Sequence, residues 1–226
     1  MSFAENVAYV RDILRRESAE WGREPLLVAA TKYLSAEEML SLPGDGITAI
    51  GENRVQALRD KLPVIGGKFD IHFIGRLQSN KVKYIIKDVS LIHSLDQISL
   101  AQEIHRQAVK NLKRMDVLVE VNITGETQKG GVAEEDLSPF LREAAAYDGL
   151  RIRGFMTMMP LGAPRDYILE RFTHLRTLLD RYREEAIPGT EMTELSMGMS
   201  QDYDLAARAG ATMVRVGSAL WQQRRT

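Results

Sequence analysis

Short apolar runs alternate with longer amphipathic stretches along the chain beyond residue 22, a pattern typical of repeated βα units around a parallel sheet. Eight runs have the composition of buried strands: 26–31, 47–51, 71–75, 91–94, 117–122, 152–156, 194–196 and 213–216. The 226 residues divided among eight runs leave about 28 residues per unit, which suits an eight-stranded βα barrel. We therefore predict an α/β protein, a (β/α)8 TIM barrel that residues 1–226 form as a single domain.

Amphipathic segments predict the helices that surround this barrel. The first 22 residues carry apolar side chains three or four positions apart and predict an additional N-terminal helix. Ser35 and Glu38 form a capping box, so a helix is expected just beyond Lys32. The segments 101–112 and 164–182 each present an apolar stripe that would pack against the sheet.

Composition excludes several classes of function. Thirty Lys and Arg against 31 Asp and Glu give a formal charge of -1, which does not favour nucleic acid as a partner. The chain has no cysteine, and therefore no disulfide, thiolate nucleophile or cysteine-ligated metal. No apolar run approaches the roughly 20 residues of a membrane span, and the N-terminus lacks an apolar signal core. We expect a cytoplasmic protein that does not enter membranes.

Lys32 directly follows the first strand, at the end of the barrel where active sites are built. One interpretation is that it merely solvates the strand end, as most lysines do. The other is that a partly apolar mouth disfavours its charged form, which leaves a neutral amine able to form a Schiff base with an aldehyde. The pattern alone does not choose between them.

The segment 195–220 predicts a second candidate feature, because the loops after strands seven and eight usually form the phosphate site of this fold. Ser200 stands where a helix is expected to begin, and Gly217 and Ser218 follow strand eight. The alternative is that Ser200 is an ordinary N-cap and that the glycines only make turns.

Arg215 lies inside strand eight between Val214 and Val216, which alternation places on the other face. A cation directed into the barrel needs a partner, and both a carboxylate such as Glu194 or Glu120 and a ring nitrogen are open. Further polar groups at the same rim are Asn53 and the segment 122–131. The four histidines show no paired ligand spacing, so no metal site is expected.

Six motifs occur in order between Val28 and Gly217, and together they resemble the pyridoxal phosphate homeostasis proteins, also called proline synthase co-transcribed homologues. These are single-domain relatives of the alanine racemase barrel. The motifs are VAATK, GENRVQ, HFIGRLQSNK, the arrangement of Asn122, Glu126, Lys129 and Gly131, GFMTMMP, and LSMGMSQDYDLAARAGATMVRVG. The chain departs from the family at Ala207, where the family has Ile, and at Trp221 and Gln222, where it has Phe-Gly.

The resemblance implies that pyridoxal 5'-phosphate (PLP) is held as an internal aldimine on Lys32. It also implies that Arg215 faces the pyridine nitrogen and that Asn53 lies near the ring. The phosphate would be received by Ser200, next to Met199, and by the amides of Gly217 and Ser218. No catalytic residue and no metal ligand are implied.

The function implied by the resemblance is binding and regulation of PLP within vitamin B6 homeostasis, and indirectly within amino-acid and keto-acid balance, without established turnover. PLP and apo-enzymes that receive it are the expected partners of a monomeric protein. An arginine that faces the ring nitrogen keeps its proton and assists carbanion chemistry only weakly. The chain ends at Thr226, and we expect no second domain to supply an acid or base.

Two enzymatic alternatives stay open. A PLP-dependent amino-acid racemase would exchange the α-hydrogen of amino acids with solvent. An aldolase that uses a barrel lysine without a cofactor would be colourless, and borohydride would trap it with a keto substrate.

Overall fold

The computed structural model describes residues 2–126 and 130–221. Within these residues eight parallel strands follow one another in chain order and close into a barrel, because β8 pairs with β1. The strands are β1 Leu26–Ala30, β2 Ala49–Glu52, β3 Asp70–Phe73, β4 Leu91–Leu95, β5 Met115–Glu120, β6 Leu150–Met156, β7 Thr190–Ser196 and β8 Met213–Val216. The predicted (β/α)8 TIM barrel is confirmed.

The helices lie outside the sheet, and α1 precedes the barrel as predicted. They are α1 Phe3–Glu17, α2 Ala36–Met39, α3 Val55–Ile65, α4 Ile98–Lys110, α5 Leu137–Ala145, α6 Arg165–Glu185, α7 Tyr203–Arg208 and α8 Ser218–Trp221. Short 3-10 helices cover Ala19–Trp21, Leu42–Asp45, Ser79–Tyr84 and Glu134–Asp136. Between β3 and β4 the connection is the 3-10 helix Ser79–Tyr84 rather than an α-helix. None of the described helices is long and apolar enough to cross a bilayer.

Several predicted boundaries are wrong by a few residues. β7 begins at Thr190 rather than at 194, because its first half is partly exposed and polar and lacks the apolar signal of a buried strand. α1 ends at Glu17, and α4 ends at Lys110. Leu112, which the helical pattern had included, is 98% exposed and has a φ of 53°. The predicted capping box of Ser35 and Glu38 is present at the start of α2.

Two apolar layers hold the barrel together. A small inner cluster lies within the closed sheet and consists of Val28, Ala49, Leu91, Leu118, Met156 and Met213. A much larger cluster fills the space between the sheet and the helices, and it contains Val214 and Val216. Strand β8 therefore alternates as predicted, since Met213 faces the inside and its valines face the helices.

The first and last described helices are joined beside the end of β1. The rings of Phe3 and Trp221 stack with centroids 4.4 Å apart and planes within 5° of parallel. Trp221 also donates from Nε1 to the carbonyl oxygen of Ala30 at 3.3 Å. Trp221 thus packs where the family has Phe, and Gln222 lies outside the described residues.

Candidate functional site

A cavity of about 410 Å³ opens at the C-terminal end of the barrel, hereafter the mouth cavity. Active sites of βα barrels are built at this face, and the volume suits a small molecule. All seven residues that the resemblance assigns to the cofactor line it: Lys32, Asn53, Met199, Ser200, Arg215, Gly217 and Ser218. Folding therefore brings together at one opening groups that are far apart in sequence.

Lys32 is exposed at the mouth cavity, two residues beyond the end of β1. Its Nζ lies 4.7 Å from the ring centroid of Tyr33, which is itself 76% exposed. Of the two interpretations of Lys32, the solvated one describes this side chain, because it is open to solvent. The residue still lines the mouth cavity, where a small ligand can reach it.

A buried ion pair fixes the backbone next to Lys32. Lys61 of α3 donates from Nζ to Glu52 Oε1 at 2.6 Å and to the carbonyl oxygen of Thr31 at 2.9 Å. Thr31 Oγ1 donates to the same Glu52 oxygen at 2.6 Å. Glu52 and Thr31 are fully buried, and Lys61 is 8% exposed. The end of β1 is thus held to β2 and α3 immediately before the amine.

This ion pair was not predicted from the sequence. The sequence feature that could have indicated it is Lys61, which lies on the apolar face of α3 between the buried residues Leu58 and Ile65. A buried cation requires an anionic partner, and Glu52 at the end of β2 supplies it. Glu52 Oε2 has no hydrogen-bond partner among the described residues.

Asn53 is held at the cavity wall by a close contact between two loops. A Cβ atom at Gly75 would lie 2.2 Å from the carbonyl oxygen of Asn53, so only glycine permits this approach. The carbonyl oxygen of Gly75 accepts a hydrogen bond from Ser94 Oγ at 2.6 Å. The backbone after β2 is therefore fixed against that after β3.

Ser200 joins the loops after β7 and β8. Its Oγ accepts the main-chain N–H groups of Gly217 at 3.1 Å and Ala219 at 3.2 Å. The alternative that Ser200 is an N-cap is wrong, because α7 begins at Tyr203 and Asp202 precedes it. Since Oγ accepts both amides, its own hydrogen is available to an acceptor in the cavity. The Gly217 amide, which the resemblance assigns to the phosphate, is thus engaged by Ser200, and the Ser200 hydroxyl hydrogen is the donor that this contact leaves for a phosphate oxygen.

Arg215 rises from β8 and lines the mouth cavity while only 4% exposed. It donates from Nη1 to Ser196 Oγ at 2.5 Å and from Nη2 to the carbonyl oxygen of Thr157 at 2.8 Å. Neither Glu194 nor Glu120, the two carboxylates considered from the sequence, makes an ion pair with it in the described part of the chain. Glu194 instead lies near Arg153, 3.5 Å away at the opposite end of the barrel.

Burial lowers the pKa of Arg215 to about 10, and the charges of Asp202 and Glu120 oppose that shift. The guanidinium therefore stays charged at neutral pH. Among the described residues its side chain donates from Nη1 and Nη2 only, so the Nε–H remains without an acceptor. A neutral ring nitrogen is an acceptor that suits such a donor.

The hydrogen bonds of Arg215 continue through the barrel as a chain, hereafter the interior chain. Ser196 Oγ lies 2.8 Å from His93 Nδ1, and His93 Nε2 lies 3.0 Å from His72 Nδ1. His72 Nε2 lies 3.2 Å from Asp70 Oδ2, near the N-terminal end of the sheet. The chain therefore links the floor of the mouth cavity to a half-exposed carboxylate at the other end.

When both imidazoles are neutral, the Asp70 carboxylate determines which atom donates and which accepts in each hydrogen bond of the interior chain. It only accepts, so His72 donates from Nε2 and must accept at Nδ1. His93 then donates from Nε2 and accepts from the Ser196 hydroxyl, which in turn accepts from Arg215. Burial, followed by the charges of His72 and Arg215, holds the pKa of His93 well below its ordinary value. Both histidines are buried, His72 on β3 and His93 on β4.

Three carboxyl groups near the mouth have raised pKa values. Burial raises the pKa of Asp202, which lines the mouth cavity and accepts the Met199 amide at 2.6 Å. Burial also raises the pKa of Glu120 and Asp96, and the nearby Arg76 charge opposes this in both. Sequence reasoning missed Asp202, although an acid ahead of a short helix is a recognisable N-cap signal.

No group of three or more potential metal ligands occurs among the described residues. In the motif formed by Asn122, Glu126, Lys129 and Gly131, Lys129 lies outside the described residues, as do Thr127 and Gln128. Asn122 donates from Nδ2 to the carbonyl oxygen of Glu126 at 2.9 Å. Gly131 packs against the end of β5, where a Cβ atom would lie 2.8 Å from the Asn122 amide nitrogen.

The fold and the mouth cavity define a barrel of the alanine racemase N-terminal domain, whose family model matches residues 3–224. A protein of Aquifex aeolicus named pyridoxal phosphate homeostasis protein is 37% identical over 230 residues that cover all of both chains. This chain therefore belongs to the pyridoxal phosphate homeostasis protein family, and the resemblance seen in its motifs is confirmed.

Solved structures agree with this assignment. PipY of Synechococcus elongatus, solved with PLP bound, has a TM-score of 0.86 and 29% identity, with 98% of this chain and 100% of that chain covered. Alanine racemase of Corynebacterium glutamicum has a TM-score of 0.71 at 15% identity, with 100% of this chain and 64% of that chain covered. The second comparison shows a shared fold only.

Proposed function

We propose that this chain binds PLP in the mouth cavity and acts in intracellular PLP homeostasis, and thereby indirectly in amino-acid and keto-acid balance. The observation that carries the proposal is the meeting of Lys32, Ser200 and Arg215 at one cavity of suitable volume. An amine, a set of phosphate-binding donors and a donor to a ring nitrogen are the groups PLP requires. The PLP-bound PipY structure supports the same conclusion.

Lys32 is proposed to hold the cofactor covalently. PLP supplies an aldehyde whose carbon forms a C=N bond with a neutral primary amine as one water molecule leaves. The ion pair of Glu52 and Lys61 orients the backbone before Lys32 and so limits where its amine can lie. Because the lysine is exposed, a second amine or water has access to the bond and can release the cofactor.

The loops after β7 and β8 are proposed to bind the phosphate. The Ser200 hydroxyl would donate to a phosphate oxygen, with Met199, Gly217 and Ser218 forming the surrounding wall. The two amides that Ser200 now accepts lie beside this position and add positive potential. Asn53 lines the cavity from the side of β2, next to the ring.

Arg215 favours a carrier over a carbanion-forming enzyme. Its guanidinium donates a hydrogen bond to a ring nitrogen without giving up the proton, and a ring that stays unprotonated withdraws electrons less strongly. We assign no catalytic residue. A racemase-like activity would appear as exchange of the α-hydrogen of alanine with deuterium from solvent at enzyme-like rates, and that result would overturn the carrier proposal.

The mouth cavity is bordered by exposed apolar side chains, with Leu161 84% and Met158 42% exposed. We propose that apo-enzymes which accept PLP approach this rim. We also propose a single-domain, cytoplasmic monomer. Light scattering after size-exclusion chromatography measures the mass in solution and so tests the monomeric state. Replacing Leu161 and Met158 by Ser and measuring the transfer of PLP to an apo-enzyme tests whether such enzymes approach this rim.

The decisive experiment is a visible spectrum of PLP-loaded protein before and after borohydride reduction, followed by peptide mapping. We expect an absorbance band at about 420 nm, typical of lysine-bound PLP. Peptide mapping after reduction should find the modification on Lys32. Lys32→Ala should lose the band, whereas the matched control Lys68→Ala, an exposed lysine at the other end of the barrel, should keep it. A band retained in Lys32→Ala, or a label on another lysine, would contradict the assignment.

A further inference from the structure

A second cavity of about 230 Å³ lies next to the mouth cavity and shares Asn53 with it. Four basic side chains line this cavity: Arg54, Arg59, Arg76 and Lys81. No Asp or Glu lines it. Apart from Arg59 and Tyr84, its lining residues belong to the motifs GENRVQ and HFIGRLQSNK. Of these motifs only Asn53 has a role in the proposed PLP site. We refer to this cavity as the cationic groove.

The four cations of the cationic groove lack ion-pair partners among the described residues. None of them forms an ion pair within 4 Å in the part of the chain that the structure describes, and none has a further contact beyond those stated here. Several arginines elsewhere are paired, as Arg151 is with Asp116 at 2.6 Å and Arg208 with Glu17 at 2.6 Å. Asp96 and Glu120 form no ion pair with Arg76, although its charge opposes the rise in the pKa of both carboxyl groups.

Tyr84 lies beside two cations of the cationic groove, Arg59 and Lys81, and beside Lys83, which does not line the groove. Arg59 Cζ lies 4.6 Å, Lys83 Nζ 4.9 Å and Lys81 Nζ 5.9 Å from its ring centroid. Such contacts with an aromatic face are attractive, but they concentrate like charges that repel one another. A bound anion would relieve that repulsion.

Helix α3 adds to the positive potential. It begins at Val55 after Arg54, and no side chain caps its N-terminus. The first amides of a helix have no partner within the helix and carry partial positive charge. Arg54, Val55 and Gln56 line the cationic groove, so this end of the helix opens into it.

We propose that the cationic groove binds the phosphate group of a small phosphorylated molecule, either a monoester or a diphosphate, separately from the proposed PLP site. Guanidinium groups bind phosphate oxygens in a bidentate fashion. Four cations without an acid suit a ligand that carries more than one negative charge, and the volume limits it to a small molecule. A ligand here would contact Asn53 from the side opposite the mouth cavity.

The test uses inorganic pyrophosphate as the probe and protein whose PLP has been fixed by borohydride, so that the mouth cavity is filled. Calorimetric titration compares wild type with Arg59→Gln/Lys81→Gln. The matched control is Lys68→Gln/Lys110→Gln, which removes the same charge from exposed positions outside the groove. We expect saturable, salt-sensitive binding with a Kd that rises roughly tenfold in the groove variant and hardly changes in the control.

Three results would overturn the inference: no saturable binding to the reduced protein, equal weakening in both double variants, or binding of an acidic peptide or oligonucleotide without binding of pyrophosphate. The inference does not rest on the PLP proposal. If borohydride fixes no PLP, the same titration of the two double variants still tests the groove, because neither changes a residue of the mouth cavity.

Discussion

Arg215 donates to the hydroxyl oxygen of Ser196 at 2.5 Å, and through this contact the cation in the floor of the mouth cavity is coupled to the two buried histidines. Ser196 is fully buried, so its hydroxyl is the hydrogen-bond partner that Arg215 Nη1 and His93 Nδ1 have in the described structure. The interior chain therefore positions Arg215 without a carboxylate in direct contact.

Ser196→Ala is expected to leave Arg215 Nη1 and His93 Nδ1 without partners. Buried groups that lose a partner cost about 1–3 kcal/mol each in the free energy of unfolding, which urea denaturation measures. The band of bound PLP should also shift, because Arg215 is no longer held in place. Ser99→Ala, an exposed position in α4, is the control. Loss of stability with an unchanged band would argue against a positioning role.

Lys61→Met is expected to be more damaging than the double variant Glu52→Gln/Lys61→Met. The single change leaves a buried carboxylate unpaired, which costs about 3–5 kcal/mol, whereas replacing both partners of a buried ion pair is often nearly neutral. Urea unfolding of the wild type, both single variants and the double variant gives the coupling between the two residues. Additive losses would show that the pair does not act as a unit.

Protonation of His93 is expected to make stability fall in mild acid. The unfolded chain takes up this proton near pH 6.5, while burial holds the pKa of the folded group well below that value. The contribution of neutral His93 to the free energy of unfolding is therefore complete above pH 6.5. As the pH falls below 6.5 this contribution is lost, by up to about 1.4 kcal/mol per pH unit.

In the variant His93→Gln, the free energy of unfolding should depend less steeply on pH between about pH 6.5 and pH 4.5. The comparison with wild type is needed because Asp96, Glu120 and Asp202 have raised pKa values and act in the opposite direction. Urea unfolding at several pH values gives the two curves. Parallel curves would contradict the prediction.

Gly198→Ala is expected to disrupt the loop after β7. This glycine has a φ of 89°, and a Cβ atom would lie 2.5 Å from the Ala206 Cβ. Its carbonyl oxygen also accepts the Arg215 amide at 2.9 Å. We expect a loss above 2 kcal/mol, about 1 from the backbone and the rest from the clash, together with weaker binding of PLP measured by its absorbance.

Gly162→Ala is the matched control, since Gly162 has a φ of 76° but nothing within 4 Å of a Cβ atom. It should show only the backbone cost of about 1 kcal/mol and normal PLP binding. Equal effects of the two substitutions would mean that the contact with Ala206 has no importance.

The barrel was predictable because each strand carries its own apolar signal and the connections have similar lengths. The start of β7 was not, since Thr190 and Glu191 pair with β6 and its arginines rather than enter the core. The seven residues proposed to bind the cofactor were predicted from motifs, and they line one cavity. Glu52, Lys61, His72 and His93 were missed as a group, because their partners lie on other strands and helices, and spacing along one chain does not reveal contacts across a barrel.

The stacking of Phe3 on Trp221 gives the protein an optical reporter. Trp221 holds the carbonyl of Ala30, two residues before the amine, while the other tryptophan, Trp21, packs near Gly210. Displacement of the end of β1 on loading or release of a ligand should change the Trp221 emission. Trp21→Phe would isolate that fluorescence, so occupancy of the mouth cavity could be followed in real time without a label.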